Sequence, residues 1–114
     1  MVEQCIFCKI RDGQVKSTIL HHDDTCFVIR DIAPKVPVHL LVIPNQHFAA
    51  LTDLTPQHAK MLGGMFQAAK DMAAREGVDK TGYRLIINQG DHAGQQVPHL
   101  HLHVLGGRQL SSMG

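Results

Sequence analysis

Apolar and polar residues along the 114-residue chain predict five short strands and one long helix. Apolar or β-rich runs between turn residues predict strands at residues 17–21, 25–31, 38–43, 83–88 and 99–105. Apolar residues recurring every three or four positions predict the long helix, which Thr55 caps, Pro56 opens and Gly77 follows. A shorter helix over residues 6–12 is expected to end at Gly13. Because only one long helix separates the strands, we expect an α+β domain with a mostly antiparallel sheet.

The predicted long helix has an apolar face and two glycines in its middle. The apolar face consists of Leu62, Met65, Phe66, Ala69, Met72 and Ala73. Gly63 and Gly64 each cost about 1 kcal/mol of helix stability relative to alanine. Close packing against a neighbouring element would offset that cost, and contact with a second subunit is the alternative explanation.

Histidine alternates with apolar residues in the last predicted strand, from His99 to Val104. Because successive side chains of a strand point to opposite faces, we expect His99, His101 and His103 on one face, about 6.6 Å apart. Such a row fits a metal site, or a histidine nucleophile toward phosphorus or acyl carbon. The glycine-bearing stretch 88–97 leads into this strand, and its backbone N–H groups suit phosphate oxygens. This placement favours a phosphate site.

Composition and charge exclude several classes of protein. The chain is 44% hydrophobic and 18% charged, which is typical of one globular domain spanning residues 1–114. Its net charge of +1 gives no electrostatic basis for binding nucleic acid. No apolar run approaches the roughly 18 residues of a membrane helix, and the first residues do not resemble a signal peptide. We therefore expect a cytoplasmic protein with neither a nucleic-acid nor a membrane partner.

Cys5 and Cys8 form a C-x-x-C motif, which indicates zinc binding or redox chemistry. Redox use is typical of a motif that follows a strand in a βαβ unit, whereas this motif begins the chain. Zinc is therefore favoured, although spacing alone does not identify the other two ligands. Cys26 lies in an apolar strand and is expected to be a core residue.

These features together resemble the histidine triad (HIT) family, whose signature H-x-H-x-H plus two apolar residues is read here over residues 99–105. Four stretches extend the resemblance to the Hint branch of nucleotide-binding hydrolases: IFCKI (6–10), RDIAPKVPVHLLVIPNQH (30–47), GYRLIINQG (82–90) and GQQVPHLHLHVLGGRQ (94–109). The resemblance implies a five-stranded antiparallel sheet with one long and one short helix. It also implies a homodimer in which two sheets join into one of ten strands.

The resemblance further implies a purine nucleoside phosphoramidase that cleaves the phosphorus–nitrogen bond of its substrate. His101 matches the nucleophile that attacks the α-phosphate and forms a nucleotidyl-histidine intermediate, which water then hydrolyses. His103 and His39 match histidines that contact or orient the phosphate, and Asn88 and Gly94 match residues lining the same site. The alternatives are a dinucleoside polyphosphate hydrolase and a nucleotide-binding regulatory module with vestigial catalysis.

Two further sites follow from the same resemblance, an AMP-like ligand pocket and a structural zinc site. Asp31 matches the carboxylate that binds the ribose, although from sequence alone it is better explained as a turn cap. The purine pocket is matched by Phe7, Ile10, Ile29 and Ile32, and the zinc ligands by Cys5, Cys8, His47 and His99. Gln96 departs from the serine that many Hint members carry in the phosphate loop, which leaves the preferred leaving group open. The remaining histidines, expected to be exposed, are His21, His22, His58 and His92.

Overall fold

The structure is a computed structural model that describes residues 4–114. Its elements in chain order are α1 (Ile6–Arg11), β1 (Ile19–His22), β2 (Cys26–Arg30), β3 (Val38–Pro44), α2 (Ala59–Arg75), β4 (Tyr83–Ile86) and β5 (Leu102–Gly106). All strand pairs are antiparallel, and the sheet order is β1-β2-β3-β5-β4. The predicted α+β fold is confirmed. Because β5 lies between β3 and β4, the histidine segment enters the interior of the sheet.

The sheet is covered on both faces, and each face has its own apolar cluster. On one face α2 packs against alternate residues of the central strands, including Val28, Leu40, Val42 and Val104. On the other face, α1 packs against the sheet together with Cys5 and Cys8. The sheet residues in this cluster are Phe27, Ile29, Leu41 and Ile43. Nearly every residue of β3 is therefore buried, as expected for a central strand whose two faces are both covered.

Helix α2 ends where the sequence predicts, but it begins at Ala59 rather than Pro56. Thr55 caps a short 3-10 turn over Pro56–His58, its hydroxyl oxygen accepting the Gln57 N–H at 3.3 Å, and α2 continues from there. Gly77 follows the helix with φ of +79°, a conformation that favours glycine.

The predicted apolar face of α2 is correct except at one residue, Phe66. Phe66 is 47% exposed, while Ala68 is buried with Met65, Ala69, Met72 and Ala73. Each residue turns the helix by about 100°, so the residue after Met65 points away from the face that meets the sheet. No other described element covers that side of α2.

The last strand is shorter than predicted, because it begins at Leu102 rather than His99. The Leu100 N–H donates to the Phe48 carbonyl at 2.6 Å, and the His99 N–H to the Val97 carbonyl at 2.9 Å, so this segment lies outside the sheet ladder. Leu100, Leu102 and Val104 lie in the apolar cluster under α2, as the predicted alternation requires. The prediction of one regular strand with evenly spaced histidines is wrong, because His99 and His101 precede the strand. The His101 and His103 ring centroids lie 4.9 Å apart, and His99 is fully buried.

Several smaller expectations have clear outcomes. β4 ends at Ile86, two residues before the predicted end, and Cys26 is a fully buried core residue as expected. Of the four remaining histidines, His22 and His92 are exposed, whereas the other two are partly buried. His21 faces the Asp23 carboxylate and His58 accepts the Thr55 N–H. No helix of the described residues is long and apolar enough to cross a membrane.

Candidate functional site

Two cysteines and two histidines from three distant parts of the chain meet on the α1 face of the sheet. Cys5 and Cys8 come from the start of α1, His47 from the loop after β3, and His99 from the segment before β5. The Nδ1 atom of His99 lies 3.2 Å from Cys5 Sγ, 3.6 Å from Cys8 Sγ and 3.1 Å from His47 Nδ1. Cys8 Sγ lies 3.3 Å from His47 Nδ1.

This cluster has the size and chemistry of a tetrahedral zinc site. Zn–S bonds of about 2.3 Å and Zn–N bonds of about 2.05 Å give edges of roughly 3.3–3.8 Å between ligands of a tetrahedron, close to the distances observed. Nε2–H of His99 donates to the Pro44 carbonyl at 3.1 Å. Nδ1 of the neutral ring is therefore unprotonated, and its lone pair faces the cluster. Burial lowers the pKa of His99 to about 4, so the ring stays neutral, as a ligand must be.

Backbone groups determine which nitrogen of His101 carries the proton. Nδ1–H donates to the His99 carbonyl at 2.6 Å, so the neutral ring presents a lone pair at Nε2. The ring is buried, and burial is the main cause that lowers its pKa. Phe7 of α1 packs edge-on against it, with ring centroids 5.0 Å apart. His101 is thus a fixed imidazole with one unprotonated nitrogen.

A second chain of hydrogen bonds gives His103 the opposite proton arrangement. The Lys35 backbone N–H donates to His39 Nδ1 at 3.1 Å, so the proton of neutral His39 is on Nε2. Nε2–H then donates to His103 Nδ1 at 2.9 Å, which leaves His103 with its proton on Nε2. Burial lowers the pKa of His39 and lowers that of His103 to about 4, so both rings are neutral. His103 Nε2 is buried and has no partner among the described residues.

The register of β3 and β5 explains why His39 and His103 meet. His39 pairs with Leu105 and Leu41 with His103, so the two histidines are diagonal neighbours on one face of the sheet. Asp31, just after β2, brings its carboxylate to 3.4 Å from His39 Nε2. Its other oxygen accepts the Ala33 N–H at 2.8 Å, so the turn cap inferred from sequence is present as well.

A cavity of about 300 Å³, termed the triad cavity, opens beside these histidines. Among the residues predicted for the ligand pocket and its chemistry, those lining it are Phe7, Ile10, Ile29, Asp31, Ile32, Gln96, His101 and His103. His39, Asn88 and Gly94 do not line it, and their place at a phosphate stays a prediction. Sequence reasoning missed five other lining residues, which are Ile6, Arg30, Ala33, Leu41 and Val97. A larger cavity, about 590 Å³, contains none of the predicted site residues.

A free imidazole nitrogen at His101 lies beside a histidine that offers a proton, at the edge of a cavity bearing a carboxylate. In an α+β fold, that arrangement contains the groups that a histidine nucleophile requires, and the Cys₂His₂ cluster could hold a metal ion.

Comparison with known proteins specifies the class. The family model "Scavenger mRNA decapping enzyme C-term binding" matches residues 4–113. The chain is 42% identical over 113 residues to the purine nucleoside phosphoramidase of Escherichia coli (strain K12), covering 99% of this chain and 95% of that protein. A HIT family hydrolase from Clostridium thermocellum has a TM-score of 0.94 at 41% identity, covering 98% of this chain and 97% of that one. The chain belongs to the histidine triad (HIT) family.

One of the similar solved structures contains zinc. A Zn-bound histidine triad family protein from Mycobacterium smegmatis has a TM-score of 0.80 at 31% identity, covering 100% of this chain and 82% of that one.

Proposed function

We propose that this protein is a purine nucleoside phosphoramidase in which His101 is the nucleophile. The protein is a HIT-family nucleotide hydrolase of the class that acts on phosphorus–nitrogen bonds. The observation that carries the finer proposal is the opposite protonation of two neighbouring histidines. His101 presents a lone pair at Nε2, and His103 presents a proton at Nε2. One can attack phosphorus while the other donates to a phosphate oxygen.

In the first step the Nε2 lone pair of His101 forms a bond to the α-phosphorus as the P–N bond breaks. The departing electron pair stays on the substrate nitrogen, which has taken a proton from water and leaves as a neutral amine. The ring of His101 becomes cationic, so its Nδ1–H bond to the His99 carbonyl becomes charge-assisted and stronger. This bond therefore stabilises the intermediate more than the resting enzyme.

In the second step water attacks the same phosphorus and the N–P bond breaks. His101 recovers its neutral ring, the water proton passes to solvent, and a nucleoside monophosphate is released. During both steps His103 Nε2–H donates to a non-bridging phosphate oxygen. Gln96 lines the same cavity, and its side-chain oxygen can accept from the protonated leaving nitrogen. An amide cannot transfer a proton at neutral pH, so protonation from water replaces an acid at this position.

The rest of the triad cavity suits a purine nucleoside. Phe7, Ile10 and Ile29 supply apolar surface for a base, and the Asp31 carboxylate can accept hydrogen bonds from ribose hydroxyls. Ile32 is 99% exposed at the rim, so a bound base would cover it. In the Cys₂His₂ cluster, zinc would join α1 to the segment before β5. This connection would hold the His99 carbonyl against His101.

Turnover of adenosine 5′-phosphoramidate by the purified protein tests this proposal, with diadenosine polyphosphate as a second substrate. His101→Ala is expected to lose phosphoramidate turnover by at least about 1,000-fold while the fold survives. His92→Ala, which changes an exposed histidine, is the matched control and should be unaffected. Acid-quenched wild-type enzyme should carry a nucleotidyl group on His101 by mass spectrometry. Undiminished turnover by His101→Ala would overturn the mechanism. Faster cleavage of the polyphosphate would overturn the substrate class, and tight AMP binding without turnover would indicate a regulatory module.

We also propose that the protein is a homodimer joined through β4. This strand is at the edge of the sheet, and its residues Tyr83–Ile86 are only half-buried although two of them are large and apolar. Pairing of two β4 strands would continue the sheet to ten strands. Light scattering of the wild-type protein should give twice the chain mass, and Leu85→Lys should shift it toward the mass of one chain. A wild-type monomer would refute the proposal.

A further inference from the structure

The two cysteines of the Cys₂His₂ cluster belong to a single turn of the chain, whereas its histidines come from other segments. The Cys5 carbonyl accepts the Lys9 N–H at 3.0 Å, so Cys5 directly precedes α1 and Cys8 lies inside its first turn. All four ligand atoms of the cluster lie within 4.8 Å of one another, and this limit includes the two sulfur atoms. An S–S bond is about 2.05 Å long. Because both sulfur atoms belong to one turn, they can close the remaining gap without moving the segments that carry the histidines.

A cavity of about 320 Å³ connects the protein surface with one of these two thiols. Its lining includes Ala49 and Pro98, which are exposed, together with Cys5 and His47 of the cluster. Cys8 does not line it. Cys5 is therefore the thiol of the pair that a small molecule from solvent meets first.

The third cysteine provides an internal comparison. Cys26 is fully buried in the apolar cluster under α2, on the opposite face of the sheet from Cys5 and Cys8. Burial raises the pKa of its thiol to about 12, so Cys26 is protonated at neutral pH. The thiolate is the form that reacts with oxidants, and cysteines that bind zinc are deprotonated. The cysteine pair therefore combines access, proximity and the reactive form, whereas Cys26 has none of the three.

We propose that Cys5 and Cys8 are an oxidative modification site for hydrogen peroxide. Oxidation joins the two sulfur atoms in a disulfide, and the Cys₂His₂ cluster then loses the ligands that hold its metal ion. This inference does not depend on the proposed phosphoramidase function. It depends on the match between the cluster and a tetrahedral zinc site.

The oxidation takes place in two displacements. The Cys5 thiolate attacks one peroxide oxygen, the O–O bond breaks, and hydroxide leaves, which gives a sulfenic acid on Cys5. The Cys8 thiolate then attacks the Cys5 sulfur, so that the S–S bond forms, the S–O bond breaks and a second hydroxide leaves. Two electrons pass from the two sulfur atoms to the peroxide, and both hydroxides take protons from the buffer.

Oxidation leaves only His47 and His99 as ligands in the cluster, too few for a closed four-coordinate site. Loss of the ion would remove the connection between α1 and the segment before β5. The bond from His99 Nε2–H to the Pro44 carbonyl does not involve either sulfur, so the sheet keeps its hold on His99. Reduction of the disulfide restores both thiolates, and the modification is therefore reversible.

Treatment of the zinc-loaded full chain with excess hydrogen peroxide tests the proposal. Zinc release is followed with a colorimetric chelator, free thiols are counted, and unreduced peptides are identified by mass spectrometry. One zinc should leave for each Cys5–Cys8 disulfide formed, and free thiols should fall from the three of the sequence to one. Tm should fall by at least about 5 °C, and dithiothreitol with added zinc should restore it.

Two variants separate the cysteine pair from general oxidation. Cys26→Ala is the control and should release zinc at the wild-type rate, with no free thiol left at the end. Cys8→Ser has no second thiol to attack a sulfenic acid, so its Cys5 should continue to sulfinic acid and form no disulfide within the chain.

Four results would overturn the modification site. They are a chain purified without zinc, zinc retained under peroxide, zinc released without a Cys5–Cys8 disulfide, and a disulfide that contains Cys26. None of these measurements uses turnover, so failure of the proposed phosphoramidase function is detected separately.

Discussion

Two adjacent glycines in α2 make a sharp test of how the helix packs, because their surroundings differ. A Cβ added at Gly63 would meet no atom within 4 Å. A Cβ added at Gly64 would lie 2.8 Å from Cγ2 of Thr25 and 3.2 Å from its Cβ. Thr25 has little room to move, since its backbone N–H donates to the Asp23 carboxylate at 2.7 Å. The close packing predicted from sequence therefore applies to Gly64 and not to Gly63.

Of the two alanine variants, Gly63→Ala is expected to be stabilised and Gly64→Ala is not. Each gains about 1 kcal/mol from the higher helix propensity of alanine. Gly63→Ala keeps that gain, so its free energy of unfolding should rise by about 0.5–1 kcal/mol. Gly64→Ala loses about 1–3 kcal/mol to overpacking against Thr25, so its net change should lie between about zero and a loss of 2 kcal/mol. The two variants should thus differ by about 1–3 kcal/mol, because the propensity term cancels between them.

Urea unfolding of both variants and the wild type, followed by circular dichroism at two protein concentrations, measures these differences. Thr25→Ala in the Gly64→Ala background removes Cγ2 and should recover part of the stability lost by Gly64→Ala. A double-mutant cycle separates this recovery from the effect of Thr25→Ala alone. Equal stability of the two glycine variants, or no recovery by Thr25→Ala, would refute the packing explanation. A destabilised Gly63→Ala would show that a second subunit covers that position.

Two further predictions concern the metal and the ring protons. Purified wild-type protein should contain roughly one zinc per chain, and Cys8→Ser should abolish that zinc and lower Tm. Chelation of the wild type should lower Tm in the same way, whereas Cys26→Ala should keep the metal. Zinc retained by Cys8→Ser would contradict the ligand set. Burial lowers the pKa of His103 from its ordinary value of 6.5 to about 4 in the folded protein. Between these two values the His103 ring is therefore protonated in the unfolded chain but not in the folded one. The stabilising effect of neutral His103 is therefore complete above pH 6.5 and is lost as the pH falls toward 4, by up to about 3 kcal/mol. His103→Gln should unfold with a weaker dependence on pH over this range, and an unchanged dependence would contradict a buried, neutral ring.

Elements whose ends carry their own chemical signals are predicted well from this sequence. β3 is bounded by Pro37 and includes Pro44 as its last residue, and its predicted range differs from the observed one by a single residue. α2 is preceded by the predicted cap at Thr55 and followed by Gly77 in a positive-φ conformation. In each case a local steric or hydrogen-bonding preference determines the boundary, and packing does not override it.

The histidine segment shows why the candidate site could be predicted only in part. Alternation from His99 to Val104 predicts a strand, and a strand would give three equivalent imidazoles. What separates their chemistry is a set of backbone atoms: the carbonyls of Pro44 and His99 and the N–H of Lys35. Every residue carries a carbonyl, and all but proline carry an N–H, so no residue type in the sequence signals these partners. Of these atoms, the His99 carbonyl belongs to the segment before Leu102, which leaves the ladder to bond with Phe48. One row of histidines in the sequence thus becomes three different environments, with His99 in the Cys₂His₂ cluster, an unprotonated Nε2 on His101 and a proton on Nε2 of His103.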